Sequence, residues 1–269
     1  MTSTFKQEVI QGQRFQFGDN WKHFLSVLND ERIAAAENSL QQMLEVENLQ
    51  GKTFLDIGSG SGLFSLAARR LGAKVHSFDY DSDSFACTQE IRSRYFPEDS
   101  DWIVEEGSVL DIDYIKSLGQ FDIVYSWGVL HHTGAMWQAL ENANLPVAEG
   151  GNLFISIYND QGVISDYWTK LKQFYNLSPK PIKRSLIVLG GLYCQSCFAL
   201  LQLLKYRQTK KHRGMSGYHD IVDWIGGYPF EVAKPEEIFN FYRDRGYILK
   251  KLKTCGGRHG CNEFVFVKL

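Results

Sequence analysis

FLDIGSGSG, residues 54–62, followed by LFSLAARR, residues 63–70, is the stretch on which the reading of the fold turns. An apolar run ends at Asp56, glycines follow at 58, 60 and 62, and the next residues read as the start of a helix. A strand that passes through a glycine-rich turn into a helix is how doubly wound α/β proteins bring a nucleotide close to the backbone. Asp79 stands 21 residues beyond Gly58, at the end of a second strand-like run, KVHSFD. A carboxylate there can accept both hydroxyls of a ribose. The details point away from NAD. The dinucleotide fingerprint places its third glycine at position 63, which is Leu63 here, and the charge of Asp56 would repel a pyrophosphate. A carboxylate at that point suits a ligand that carries a positive amine and no phosphate.

S-adenosylmethionine fits that description, and the sequence resembles the class I S-adenosylmethionine-dependent methyltransferase family. Four blocks carry the resemblance: DIGSGSG (56–62), FDYD (78–81), EEGSVLD (105–111) and FDIVYSWGVLHHTG (121–134), in the family's order and at its separations. They cover residues 50–160 closely and the C-terminal hairpin loosely. The resemblance implies an α/β fold, a doubly wound, mostly parallel seven-stranded sheet with a C-terminal antiparallel hairpin. It further implies that Asp56, Gly58 and Gly60 hold the methionine portion of the cofactor and Asp79 its ribose. Ser108 and Val109 would flank the adenine, Ser126 and Trp127 would line the floor near the sulfonium, and Ser59 and Tyr80 complete the cofactor set.

The pattern along the chain agrees with this layout. Apolar positions at helical spacing over residues 19–47 predict helices ahead of the core. Strands at 52–57, 74–79, 102–105, 121–126 and 151–158 alternate with helices at 62–71, 83–94 and 135–143, which demands a mostly parallel sheet covered on both faces. PEEIFNFYRDRG (235–246) opens with proline and closes with glycine, as a helix does, and YILKKLKT and NEFVFVKL alternate like hairpin strands. The expected organisation is an N-terminal helical cap (1–50), a cofactor-binding core (51–158), a lid or substrate insert (159–234) and a last helix and hairpin (235–269) that complete the core.

Methyl transfer to a hydroxyl benefits from a general base with a pKa near the working pH. His131 and His132 stand just past the fourth strand, where ligands lie in such sheets, although one of the pair could cap the next helix while the other packs beneath it. Small-molecule methyltransferases of the family sometimes carry a base in that region. The Asn/Asp-Pro-Pro-Tyr motif of enzymes acting on exocyclic base amines is replaced by Tyr125-Ser126-Trp127-Gly128. In the insert, GMSGYHDIVDWIGGYPFE (214–231) joins glycines to aromatics and adds His219, Asp220 and Asp223 as candidates to orient a hydroxyl or act as base; each acid is also explained by plain solvation.

SLIVLGGLYCQSCFALLQLL (185–204) approaches membrane-spanning length, but Gln195, Ser196 and Gln202 weaken a spanning reading. A lid helix with its apolar face inward is the expectation, with peripheral membrane contact as the alternative. The basic run from Lys205 to Arg213 is either a solvated face or a holder of an anionic group. Cys194 and Cys197 lie in the most apolar segment, and Cys255 and Cys261 flank a glycine turn, so no metal is expected. A net charge of −2 gives no global pull towards nucleic acid, and five scattered cysteines without a secretory signal argue for a cytoplasmic setting. The sequence therefore predicts an enzyme that methylates oxygen on a small or lipid-like molecule. RNA or protein methylation, or a non-catalytic partner subunit that keeps the cofactor fold, are the alternatives.

Overall fold

The computed structural model describes residues 4–203, 217–257 and 259–269; side chains at 19–20, 22–23, 193–203, 217–220 and 223 lie outside that description. Three helices come first: α1 (Thr4–Ile10), α2 (Gly18–Val27) and α3 (Asp30–Leu44). The alternating core follows as β1 (Thr53–Ile57), α4 (Leu63–Arg70), β2 (Lys74–Asp79), α5 (Ser82–Tyr95), β3 (Trp102–Glu106), α6 (Ile112–Ser117), β4 (Phe121–Trp127), α7 (Met136–Asn144) and β5 (Val147–Tyr158). Then come α8 (Val163–Leu177), α9 (Lys180–Leu203), α10 (Gly217–Gly226), α11 (Pro235–Arg243), β6 (Tyr247–Lys253) and β7 (Cys261–Lys268).

The strands form one sheet of seven in the order β3-β2-β1-β4-β5-β7-β6, with β7 antiparallel to both neighbours and the first five parallel. This is the doubly wound arrangement with a C-terminal antiparallel hairpin that the sequence led us to expect. Strand alternation divides the core cleanly. Leu55, Ile57, Val124, Leu153, Ile155, Phe264 and Phe266 join one buried cluster, while Phe54, Ile123, Tyr125, Phe154 and Val265 join the other on the opposite face.

The chain falls into two compact units. The larger holds residues 17–165 and 230–269, with the whole sheet; the smaller holds 1–16 and 166–229. These boundaries differ from the organisation expected from sequence, and the packing gives the reason. Within the larger unit α3 lies against α4 and α2 against α5, so they are part of the core layer rather than a separate cap. Asn159 and Ala233 also bridge beside the sheet, which keeps the ends of the insert with the core. In the smaller unit, taken alone, the Phe15 amide donates to the Tyr228 carbonyl at 2.8 Å. Lys172, fully buried, donates to the Trp224 carbonyl and stands 4.6 Å from that indole's centre, a cation held by a ring and a carbonyl.

α6 was not anticipated. Its start is marked by Asp111, whose carboxylate accepts from the amides of Asp113 and Tyr114, but with six residues and one buried side chain, Ile115, it shows no helical period to read.

Beneath the larger unit's sheet edge lies a buried one-way relay. The Trp102 indole donates to Ser77 at 3.0 Å, Ser77 donates to Ser65 at 2.8 Å, and Ser65 donates to Asp56. The indole can only donate, and from it the bonds run in one direction and end on the Asp56 carboxyl group. Replacing Ser65 by Ala strands a buried carboxylate and should cost about 1.5–3 kcal/mol, whereas Trp102→Phe, which loses one neutral bond at the far end, should cost about 0.5–1.5 kcal/mol. Urea unfolding of the two variants should show that order; equal costs would show that the relay does not converge on Asp56.

Candidate functional site

The turn after β1 is shaped by glycines that a side chain could not replace. Gly58 has φ +77, and a Cβ there would stand 2.4 Å from Val129. Gly60 has φ +56, and its Cβ would stand 3.1 Å from the Trp21 indole nitrogen. The turn thus runs directly under the segment that follows β4 and under α2. Its amides are spent inside the protein: Gly58 and Ser59 donate to the Phe78 carbonyl, Gly60 to Asp79 Oδ2, and Gly62 to the Ser59 carbonyl. Four donors so engaged leave them unavailable to cradle a phosphate, which agrees with the reading away from a pyrophosphate ligand.

Asp79, at the end of β2, accepts from Gly60 through Oδ2 and from the Asp81 amide through Oδ1, both in the range 2.8–2.9 Å. Each oxygen keeps a lone pair that a ribose hydroxyl could meet. Desolvation pushes its pKa up to about 7, against the two amide bonds and with help from the neighbouring Asp81 and Asp56 charges. Asp81 in turn ties in the N-terminus: Oδ2 accepts the Gly18 amide at 2.8 Å and Oδ1 the Asp83 amide at 3.0 Å, capping α5. So α2, the turn after β1 and the end of β2 form one hydrogen-bonded corner. The sequence left open whether the aromatics at 14–25 pack plainly or close over the cofactor; Trp21 against Gly60 places one of them on the turn itself.

Asp56 takes a position different from the one the resemblance implied. It is 2% exposed, and both the hydroxyl and the amide of Ser65 donate to it. The carboxyl group therefore holds the first turn of α4, whose amides lack partners within the helix. Burial raises its pKa to about 7, with the Ser65 bonds opposing. Ser59 likewise turns away, its hydroxyl bonded to that of Thr88 at 2.8 Å. Tyr80 is half-buried beside Asp79.

On the other flank, the half-buried Ser108 accepts the Leu110 amide, and the buried Val109 presents its carbonyl to Asn142 at 2.8 Å. Ser126 is buried, and its hydroxyl donates to the Ile57 carbonyl at 3.0 Å, locking β4 to β1, while Trp127 is half-buried.

The histidine pair forms a short helical turn, Leu130–His132, beyond β4. His131 is 0% exposed and His132 8%. Both pack on Tyr158 at the end of β5, with ring centres 4.1 and 5.5 Å away, and His132 also meets Phe17 at 4.9 Å. His132 is the less deeply buried of the pair and the one that meets Phe17, while His131 is packed fully inside against Tyr158. Sequence reasoning missed the residue that holds this turn in place. The Glu231 carboxylate accepts the amides of Gly134 and Met136 at 2.9–3.1 Å, and the Glu231 amide donates to the His131 carbonyl at 3.0 Å. Its only sequence signal was its position at the end of the glycine- and aromatic-rich run. His219, Asp220 and Asp223 lie on α10 of the smaller unit, with side chains outside the described residues. A separate open depression of about 560 Å³ lies by the end of β5, lined by Asn159, Lys234, Thr254 and Asn262 among others, and holds none of the predicted site residues.

The model of the methyltransferase domain family matches residues 28–185. A tRNA U34 carboxymethyltransferase from Pseudoalteromonas translucida is 27% identical over 136 residues, 48% of this chain and 41% of that protein. A ribosomal protein L11 methyltransferase from Helicobacter hepaticus is 32% identical over 96 residues, 31% of this chain and 30% of that protein. The chain therefore spans less than half the length of these curated relatives. Among solved structures, magnesium protoporphyrin IX methyltransferase from Synechocystis PCC 6803, with bound SAH, aligns with a TM-score of 0.54 at 14% identity, covering 93% of this chain and 94% of that one. An O-methyltransferase family protein from Burkholderia thailandensis aligns with a TM-score of 0.52 at 13% identity over 97% and 66% of the two chains. Likeness at these identities shows the fold.

The two raised carboxyl groups predict an inverted pH dependence for the ligand-free protein. Asp56 and Asp79 ionise near 3.8 when exposed and near 7 in the fold, so the folded chain holds protons that the unfolded one has lost. Their contribution to stability is complete below the lower value and lost as pH rises through the upper. Melting temperature should fall between about pH 4 and pH 7, and Asp56→Asn should flatten that fall. Parallel curves for the two proteins would show that Asp56 is not a raised carboxyl.

Proposed function

The chain belongs to the methyltransferase domain family and has the class I, S-adenosylmethionine-dependent fold, and from that premise we propose that it moves a methyl group to an oxygen of a small or lipid-like acceptor. The observation that carries the acceptor chemistry is His132, set at the carboxyl end of β4 against Phe17 and Tyr158. A bound S-adenosylmethionine supplies a methyl group already activated by a sulfonium. The protein's part is to place the acceptor in line, exclude water and take up a proton. Asp79 accepts the ribose hydroxyls, the Gly58–Gly60 turn lets the methionine portion lie against backbone, and Ser108 and Val109 border the adenine. His132 would take up the proton that an acceptor hydroxyl loses on methylation. The aromatic rings around His132 suit a flat or apolar acceptor better than a charged one.

A second reading, methyl transfer to RNA, draws on the similarity to tRNA U34 carboxymethyltransferases. Strongly salt-dependent binding of tRNA would favour it over a small acceptor.

Two substitutions separate cofactor binding from chemistry. Asp79→Ala removes a charged acceptor and should weaken S-adenosylmethionine by about 1.5–3 kcal/mol in calorimetry. His132→Ala should leave that affinity near wild type and lower turnover of a hydroxyl acceptor roughly 100- to 10,000-fold, with loss of the acidic limb of the pH profile. Full activity in His132→Ala with an unaltered pH profile would remove the histidine base and leave positioning alone.

A further inference from the structure

In the smaller unit α9 presents to water the kind of surface that helices ordinarily bury. Between 181 and 192 the exposed positions are 181, 182, 184, 185, 188, 189 and 192. At 3.6 residues per turn these share one arc of about 160°, so they form a single face. Ile182, Val188, Leu189 and Leu192 on that face are 41%, 61%, 61% and 57% exposed. The sequence led us to expect the apolar side, Leu192 included, to face inward; the inward side is instead built on glycine. A Cβ on Gly190 would stand 2.3 Å from Ile225 of α10, and one on Gly191 3.6 Å from Ile221. α10 therefore seats on the glycines, and the branched aliphatics point the other way. Exposed aliphatics recur on the preceding helix, where Phe174 and Leu177 are 53% and 64% exposed.

Charge identifies the occupant. Between Asp166 and Asp220 the sequence contains ten Lys and Arg and no Asp or Glu, in a chain whose totals are 29 and 31. Lys180 and Arg184 are exposed at the start of α9, and Lys205, Arg207, Lys210, Lys211 and Arg213 follow its end in the sequence. Each possible occupant meets this surface differently. A second copy would bring like charges against the exposed Lys180 and Arg184. A nucleic acid would satisfy the cations and leave the aliphatics in water. A bilayer rich in anionic lipid satisfies both, with aliphatic side chains in the acyl boundary and cations among the headgroups. Among the described residues no helix is long and apolar enough to cross a membrane, so the contact is a helix lying on the surface. We propose that the exposed face of α9, with its flanking cations, docks this protein on anionic lipid membranes. This inference goes beyond the catalytic reading and stands whatever the methyl acceptor is.

The test is co-sedimentation of the full chain with vesicles of phosphatidylcholine alone or enriched in phosphatidylglycerol. The protein should pellet with the second and stay in solution with the first, and salt should release it in part. Leu192→Glu and, separately, Arg184→Glu should each lower the partition coefficient roughly tenfold, with unchanged circular dichroism, since both sites are exposed. The vesicle-composition and salt comparisons need no variant, so a misfolded variant leaves the test intact. Failure of the wild type to pellet with phosphatidylglycerol vesicles would overturn the proposal, as would pelleting of both variants at the wild-type level. So would light scattering that finds a dimer dissolved by Leu192→Glu without vesicle binding. Binding of tRNA that survives Leu192→Glu while vesicles are ignored would assign the cations to nucleic acid instead.

Discussion

The bond from the Gly60 amide to Asp79 Oδ2 is the constraint on which the site depends. It joins the glycine turn after β1 to the end of β2, and through the Asp81 amide and carboxylate it reaches the N-cap of α5 and the start of α2. One carboxylate therefore organises the turn, and each of its oxygens keeps a lone pair for a further donor. The cost is visible in its pKa, raised to about 7 because a partly buried charge must live next to Asp81 and Asp56. A ligand hydroxyl that donates to Asp79 relieves part of that cost. Binding and local order are in this way linked through the same atom pair, which is how a site gains affinity without further contacts.

A second constraint lies one layer deeper. The relay from Trp102 through Ser77 and Ser65 to Asp56 ties β3, β2, α4 and β1 together behind the turn, so the turn cannot shift without disturbing four elements. On the other side of the site Glu231 does for the histidine turn what Asp56 does for α4. Each carboxylate accepts amides at a helix start, where backbone donors lack partners and the helix dipole favours negative charge. The glycine turn and the histidine turn keep a defined geometry because acids, one of them distant in sequence, hold the helix starts beside them.

Much of this was legible in the sequence. The strands could be read because their apolar runs are buried on both faces, as parallel strands require, and the hairpin because it alternates. The corner where Gly60 meets Asp79 could be read because a glycine turn and an acid at the next strand end are a local pattern. What escaped had no local pattern. Glu231 bonds to Met136 across 95 residues, and Trp21 meets Gly60 only once α2 has folded back. The bond of Asp56 to Ser65 escaped because Ser65, nine positions on, comes within reach only after α4 turns. α9 misled for a related reason. Apolar content signals burial, yet a glycine pair let α10 take the inner side and left the aliphatics outward.

The uneven charge of the chain bears on the same division of labour. The sheet-bearing unit carries almost all of the carboxylates, and several of them are tied to backbone amides at helix starts, so acidity there has a structural use. The acid-free stretch between Asp166 and Asp220 belongs to the other unit, where cations and aliphatics share one helix, α9. A single net charge of −2 hides these two populations. Because screening confines charge effects to about 8–10 Å at physiological ionic strength, a partner senses the local balance and not the sum. A locally cationic stretch can therefore act on anionic surfaces although the molecule as a whole is slightly acidic.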